Sequence, residues 1–231
     1  VIIILCNIGL NFIPESNEER FKQQKKDDGK IADKIGSNSF SQIAAWFIGT
    51  VLNPLLSFFK KNGLSIGLGI LTFIFLFKIG EAFLGRMSIV FYKEMGFSKG
   101  DIALYSKGIG WITTIFFTLI GGIFAIRAGA IKALFIAGII MACTNLLFTL
   151  LYWTGKSELL FAIAVLFDDM AAAFATVAFV TFISLLVDRT YTATQYALLA
   201  SIGTMGRTLL ASSSGAMVDW LNGNWGIFFI I

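Results

Sequence analysis

Apolar stretches about as long as a bilayer core is thick recur along this chain, and that recurrence narrows the possible folds more than any other feature. A membrane-spanning helix needs about 20 consecutive, mostly apolar residues. Stretches of that order cover 64–92, 103–126, 133–153, 158–187 and 195–221, and another begins at 225. Composition agrees: 57% of residues are hydrophobic, only 14% are charged, and the mean hydropathy is +0.81. A soluble protein of this length would not show such a pattern. The 24 phenylalanines and 23 glycines suit lipid-facing surfaces and close helix packing. The fold class expected is an all-α membrane protein.

Segments between and before these stretches set the organisation. Residues 1–13 form an apolar run too short to span and are read as the end of a truncated transmembrane helix. Residues 14–39 hold mixed charges from Glu15 to Lys34 together with Asn, Ser and Gly, the composition of a flexible linker. Residues 40–61 are read as an amphipathic helix lying in the membrane interface. There Gln42, Trp46, Thr50, Asn53 and Ser57 recur at helical spacing, Ile43, Phe47, Val51, Leu55 and Phe58 fall on other faces, and Lys60 and Lys61 end the run. Residues 62–231 then make a transmembrane half of five full helices and the start of a sixth.

Basic residues orient this arrangement. With 40–61 in the interface, loops on one side carry eight basic residues before Leu64, then Arg127 and Lys132, then Arg189, eleven in all. The other side carries Lys93, Lys99 and Lys156. If 40–59 spanned, the split would fall to nine against five. The linker and the 127–132 loop are therefore expected in the cytoplasm. A cytoplasmic linker leading into six helices matches the second half of a twelve-helix transporter, with the end of the preceding helix before it.

Several ionisable residues lie inside the apolar stretches: Lys78, Glu81, Arg86, Lys107, Asp168, Asp169 and Arg207. Charge in hydrocarbon is costly by several kcal/mol, so such residues line a bundle interior or a polar pathway. Lys78 and Glu81, three apart, share a helix face and can pair, either as a structural ion pair or as a proton-carrying site. Asp168 and Asp169 point about 100° apart on a helix, so one can face a cavity while the other meets a neighbouring helix. Arg207 is always charged and can fork onto a carboxylate or phosphate. The bases outnumber the acids four to three, which suits an anionic solute, although Arg86 and Lys107 can instead reach the membrane surface. The glycines beside Arg207, Gly203 and Gly206, read as helix-packing positions.

Other chemistries are poorly supplied. There is no histidine, and the two cysteines, Cys6 and Cys143, lie far apart in apolar surroundings. No metal, cofactor or catalytic site is expected, and no loop is long enough to build an enzyme outside the membrane. The net charge of +4 sits mostly in loops and speaks of orientation, not of nucleic acid.

Between the second and third full stretches runs Gly122-Ile-Phe-Ala-Ile126-Arg127-Ala-Gly129-Ala-Ile131-Lys132. It resembles the loop signature of the major facilitator superfamily at Gly122, Arg127, Gly129 and Lys132. Ile126 stands where that signature has an acid and Ile131 where it has a base. Further segments, Phe77-Lys-Ile-Gly-Glu-Ala-Phe83, Ala178-Phe-Val-Thr-Phe182, Ala193-Thr-Gln-Tyr-Ala-Leu-Leu199 and Gly206-Arg207, are in order and spacing similar to the AmpG-type muropeptide permeases. That resemblance, from about Ser41 onward, implies a major facilitator-type helix bundle. It implies a permease importing anhydro-muropeptides across the bacterial inner membrane, with protons, in cell-wall recycling and β-lactamase induction. The partners so implied are an anionic small molecule, protons, the bilayer and a first half of the same protein. Related transporters of another bulky anion, acetyl-coenzyme A, are an alternative, and so is a non-transporting membrane sensor in which the linker is the working part.

Overall fold

A computed structural model describes residues 48–188 and 192–231. The truncated helix at 1–13, the linker at 14–39, residues 40–47 of the interfacial helix and Arg189 lie outside the described residues. All regular structure among the described residues is helical, and the helices fall into two compact units.

Residues 48–63 belong to the first unit, with Asp188 and residues 192–195. A π-helical turn, Ile48–Leu52, leads into α1, Asn53–Asn62, which has Pro54 in its first turn and Lys60 and Lys61 in its last. Proline suits a helix start, where its missing N–H is not needed and its fixed φ is already helical, and lysine suits a helix end, where its charge complements the backbone dipole. Buried Gln195 ties this unit together. Its amide donates to the Pro54 carbonyl at 2.8 Å, and its side-chain oxygen accepts from the Asp188 N–H at 2.6 Å. Ser57 adds a hydrogen bond to the Asp188 carboxylate. Gln195, within one segment that carries the family resemblance, is thus a tether.

Residues 64–187 and 196–231 form the second unit. Its elements are α2 (Leu64–Phe77), α3 (Ile79–Glu94), α4 (Lys99–Ala103), a π-helical segment (Leu104–Ile109), α5 (Gly110–Ala128), α6 (Ala130–Thr154) and α7 (Glu158–Leu186). After them come α8 (Thr192–Ser212, whose first turn belongs to the other unit), α9 (Ser214–Trp220) and α10 (Trp225–Phe228). Among the described residues, four stretches are long and apolar enough to cross a membrane: Leu64–Glu94, Lys99–Ala128, Ala130–Thr154 and Glu158–Leu186. The stretch read as a fifth span, 195–221, is divided into α8 and α9 at Ser213, and its Thr, Ser and Gln residues leave it less apolar than those four.

Helix ends follow local chemistry. Gly129 separates α5 from α6 with φ +90°, a conformation that a side chain would strain, and so lets the chain reverse within one residue. Ser98 and Asp101 cap α4 reciprocally, Ser157 caps α7 and Asn224 caps α10. Helix α7 packs along both α5 and α6. An aromatic core joins α3, α6, α7 and α10 through Phe91, Tyr92, Phe148, Phe161, Trp225 and Phe229.

Candidate functional site: an ion cluster at a helix break

The span 64–94 is not one continuous helix. It breaks at Lys78, which stands between α2 and α3 with φ −95° and ψ 15°. The break places Glu81 in the first turn of α3, where free backbone N–H groups and the helix dipole favour a carboxylate. It also lets Lys78 turn back. The Lys78 Nζ lies 3.0 Å from Glu81 Oε2 and donates to Thr176 Oγ1 on α7 at 3.1 Å. It also sits 5.8 Å from the centre of the Phe179 ring, which is stacked on Phe77. The Lys78–Glu81 pair read from the sequence is therefore present, but at a break and not along an unbroken helix face.

A third member comes from α8. An Arg207 guanidinium nitrogen lies 3.5 Å from Glu81 Oε1, so the carboxylate holds one cation on each oxygen. Close backbone approach positions that arginine. Gly206 abuts the Phe75 carbonyl on α2, and Gly203 lies against Phe179 and Ile74, so a Cβ at either glycine would press on its neighbours. The packing role read for Gly203 and Gly206 is what the geometry gives them. Exposure differs across the cluster: the Lys78 and Glu81 side chains keep 13% and 17% of theirs, Arg207 keeps 48%.

Asp168 and Asp169 lie beside this cluster on α7. The Asp168 carboxyl is near enough to interact with the charges of both Asp169 and Glu81, and both aspartates bear on Tyr92 of α3. Asp169 also meets another helix. Its Oδ2 lies where a Cβ on Gly110 would have to go, at the start of α5. Immediately before Gly110 is the π-helical segment that contains Lys107; the Lys107 side chain lies outside the described residues. Such segments concentrate at functional sites because they re-aim side chains within a helix. Arg86 is exposed and makes no ion pair among the described residues. The described side chains of the cluster are therefore two bases and three acids, not the basic excess suggested by counting residues along the spans.

Thr176 passes as an ordinary member of a span in the sequence, and Phe179 is marked only as part of a segment that carries the resemblance. Asn145, whose side-chain nitrogen lies 3.4 Å from where a Cβ on Gly80 would stand, passes as Thr176 does. Nothing along the chain marks these residues as partners of Lys78 and its neighbours, because the helices that bring them together are far apart in sequence.

The loop motif forms the turn between α5 and α6. Arg127 is exposed in the last turn of α5, Gly129 makes the reversal, and Lys132 is exposed in the first turn of α6. Ile126, at the position of the signature's acid, is 83% exposed and offers Arg127 no charge. Gly122 has Val177 at 3.8 Å from its would-be Cβ, whereas Gly121 is the tighter position, at 3.0 Å from the Phe174 ring. A cavity of about 590 Å³ opens between α2, α6 and α7, with Phe73, Phe77, Leu134, Gly138 and Phe182 in its apolar lining. It holds none of the ions and so does not mark the polar site. No group of acidic, histidine or cysteine residues is placed to hold a metal among the described residues.

Comparison with known proteins agrees with the helical membrane architecture. The family model described as Major Facilitator Superfamily matches residues 1–225. The chain is 34% identical over 230 residues to the putative transporter AmpG 4 of Rickettsia conorii, covering all of this chain and 51% of that protein. It is 32% identical over 181 residues to the anhydromuropeptide permease of Escherichia coli K12, covering 78% of this chain and 36% of that one. Putative transporter AmpG 2 of Rickettsia prowazekii is 29% identical over 202 residues, 87% of this chain and 46% of its own length. The chain thus spans about half the length of the AmpG 4 relative, or less for the others. It is a multi-pass membrane protein of AmpG type, and it belongs to the Major Facilitator Superfamily.

Proposed function

We propose that the chain forms the second half of a secondary active transporter in the bacterial inner membrane that imports anhydro-muropeptides together with protons for cell-wall recycling. The observation that carries the proposal is the Lys78–Glu81–Arg207 cluster, which joins a broken helix to α8 within a bundle of membrane spans. Ionisable groups that deep in a membrane protein are costly and occur chiefly on solute and proton pathways. The similarity to a protein named as an anhydromuropeptide permease supports the choice of substrate, since a muropeptide carries several carboxylates and Arg207 is a carboxylate binder.

Roles follow from chemistry. Arg207, half-exposed and able to fork, holds an anionic group of the substrate. Glu81 carries the coupling proton: when it is protonated its hold on Lys78 weakens, and one access state is favoured over the other. Asp168, Asp169 and Lys107 line the same pathway. Arg127, Gly129 and Lys132 form a cytoplasmic turn, on the same side as the linker at 14–39 and the interfacial helix at 40–61.

Gradient-driven uptake of labelled anhydro-muropeptide, in a host lacking its own permease, tests the reading. Glu81→Gln mimics the protonated acid permanently, so accumulation against a gradient is lost while exchange down a gradient persists. If Glu81 were only structural, its loss would strand Lys78, and the Lys78→Met, Glu81→Gln double variant would regain function. Gradient-driven accumulation by that double variant would remove Glu81 as the proton site.

A further inference from the structure

We propose that Glu81 occupies the anion-binding face of Arg207, so that an anionic group of the substrate binds there by displacing the Glu81 carboxylate. The proposal rests on the assignment of Arg207 to the substrate's anionic group and adds how that group gains access.

The two contacts of the Glu81 carboxylate are unequal. Lys78 is close, at 3.0 Å, lies on the adjoining turn, and is further held by Thr176 and the face of Phe179. Arg207 is longer, at 3.5 Å, and engages only one carboxylate oxygen through one nitrogen. A guanidinium can offer a planar fork to two oxygens at once, and that bidentate arrangement is stronger and more directional than a single contact. Glu81 therefore satisfies Arg207 incompletely, while Lys78 continues to neutralise Glu81 if Arg207 leaves it.

Space and charge point the same way. Nearly half of the Arg207 side chain is exposed, and Gly85 on α3 faces it without a side chain, the would-be Cβ lying 3.8 Å from the guanidinium. The described ions of this layer are Lys78 and Arg207 against Glu81, Asp168 and Asp169. An anion added while Glu81 stayed on Arg207 would be a fourth acid among two bases. Displacement leaves that count unchanged but gives each base a carboxylate of its own, because Arg207 exchanges one carboxylate partner for another and Glu81 falls back on Lys78. Selectivity then follows from the incoming group. A carboxylate or phosphate able to use the fork outcompetes Glu81, whereas a neutral analogue cannot take its place.

Equilibrium binding to the protein purified as its own gene encodes it provides the test, with anhydro-muropeptide and acetyl-coenzyme A as separate probes. Removing the competitor in Glu81→Gln should tighten binding of the accepted probe by about two- to fivefold, the strength of a partly exposed ion pair. Arg207→Gln should abolish binding. The Lys78→Met, Glu81→Gln double variant, which strands no lysine, should show the same gain and decides the matter if Glu81→Gln alone is not monodisperse. Unchanged or weaker affinity in the double variant overturns the exchange, even if muropeptide binding to the native protein upholds the substrate assignment. Tighter binding of acetyl-coenzyme A alone upholds the exchange and overturns that assignment. Failure of both probes to bind any form overturns both.

Discussion

Helix α3 carries two regions built on opposite principles. Near its end, Phe91 and Tyr92 are locked among Phe148, Phe161, Trp225 and Phe229, with ring centres 4.7–6.3 Å apart. Ten residues earlier, about 15 Å along the helix axis, Glu81 holds two cations at 3.0 and 3.5 Å. The aromatic region is fixed by shape. Its rings fill one another's gaps, its largest polar handle is satisfied by the Trp225 N–H donating to Glu94 at 2.6 Å, and a rearranged packing would open voids. The ion region is held by paired charges, Lys78 and Arg207 on one carboxylate, which the proposed exchange would re-partner. A close-packed end and an ion-paired end on the same helix is the arrangement that the proposed transport would use, because movement at the ions would then have a frame to act against.

The sharpest way to break this contrast is to attack the frame. Phe161 is fully buried and touches Tyr92, Phe97 and Tyr105, with the Phe97 ring stacked at 4.2 Å. Phe161→Ala would leave a cavity. In a soluble core that costs about 3–5 kcal/mol; here lipid is as apolar as the core, so lost packing dominates and the expected cost is about 2–3 kcal/mol. The apparent melting temperature in detergent should fall clearly, by more than for any change at Arg207. An unchanged melting temperature would mean that the aromatic region is not the frame.

A smaller loss is expected at the joint that carries Arg207. Gly206→Ala would drive a methyl into the Phe75 carbonyl, a backbone group that cannot turn aside. Helix α8 must then shift away from α2, at the roughly 1–3 kcal/mol typical of overpacking. Because the shift withdraws Arg207 from Glu81, uptake should fall further than stability does. Gly203→Ala, which meets chiefly the flexible edge of the Phe179 ring, should be milder on both measures. Equal effects of the two substitutions on uptake would show that the position of α8 at this level does not matter.

What could be read along the chain is local. The apolar stretches at 64–92, 133–153 and 158–187 are close to the helical stretches Leu64–Glu94, Ala130–Thr154 and Glu158–Leu186, because hydropathy over about 20 residues is summed from neighbours. The interruptions at Lys78, Leu104–Ile109 and Ser213 were not legible, since no proline marks them and tertiary packing decides them. Lys78 and Glu81 could be paired from their spacing alone. The contact of Glu81 with Arg207 could not, because it depends on how Gly206 seats α8 against Phe75. The same holds for Thr176, a small polar residue in an apolar run until α7 brings it to the lysine. In the loop motif, spacing picked out Gly122, whereas the helix-to-helix contact is tightest one residue earlier at Gly121, and only the packing against Phe174 distinguishes them.

The mildest change tests the exchangeable end alone. Arg207→Lys keeps the positive charge, and an ammonium could still reach toward Glu81 Oε1. Stability should therefore stay within about 0.5 kcal/mol of the parent, as expected where neither a cavity nor a stranded charge is created. The planar fork, however, is gone, and with it bidentate recognition of a carboxylate or phosphate. Uptake should fall about tenfold, the order expected for losing one good charge-assisted hydrogen bond of about 1.5 kcal/mol, with little change in the melting temperature. Arg207→Ala separates the possibilities further. If Arg207 only neutralises Glu81, its loss is covered by Lys78 and uptake survives; if it binds the substrate, uptake is lost in a protein that still folds. Normal uptake by the lysine variant, together with failure of the alanine variant to accumulate in the membrane, would make Arg207 a structural ion. The two ends of α3 would then differ in chemistry but not in purpose.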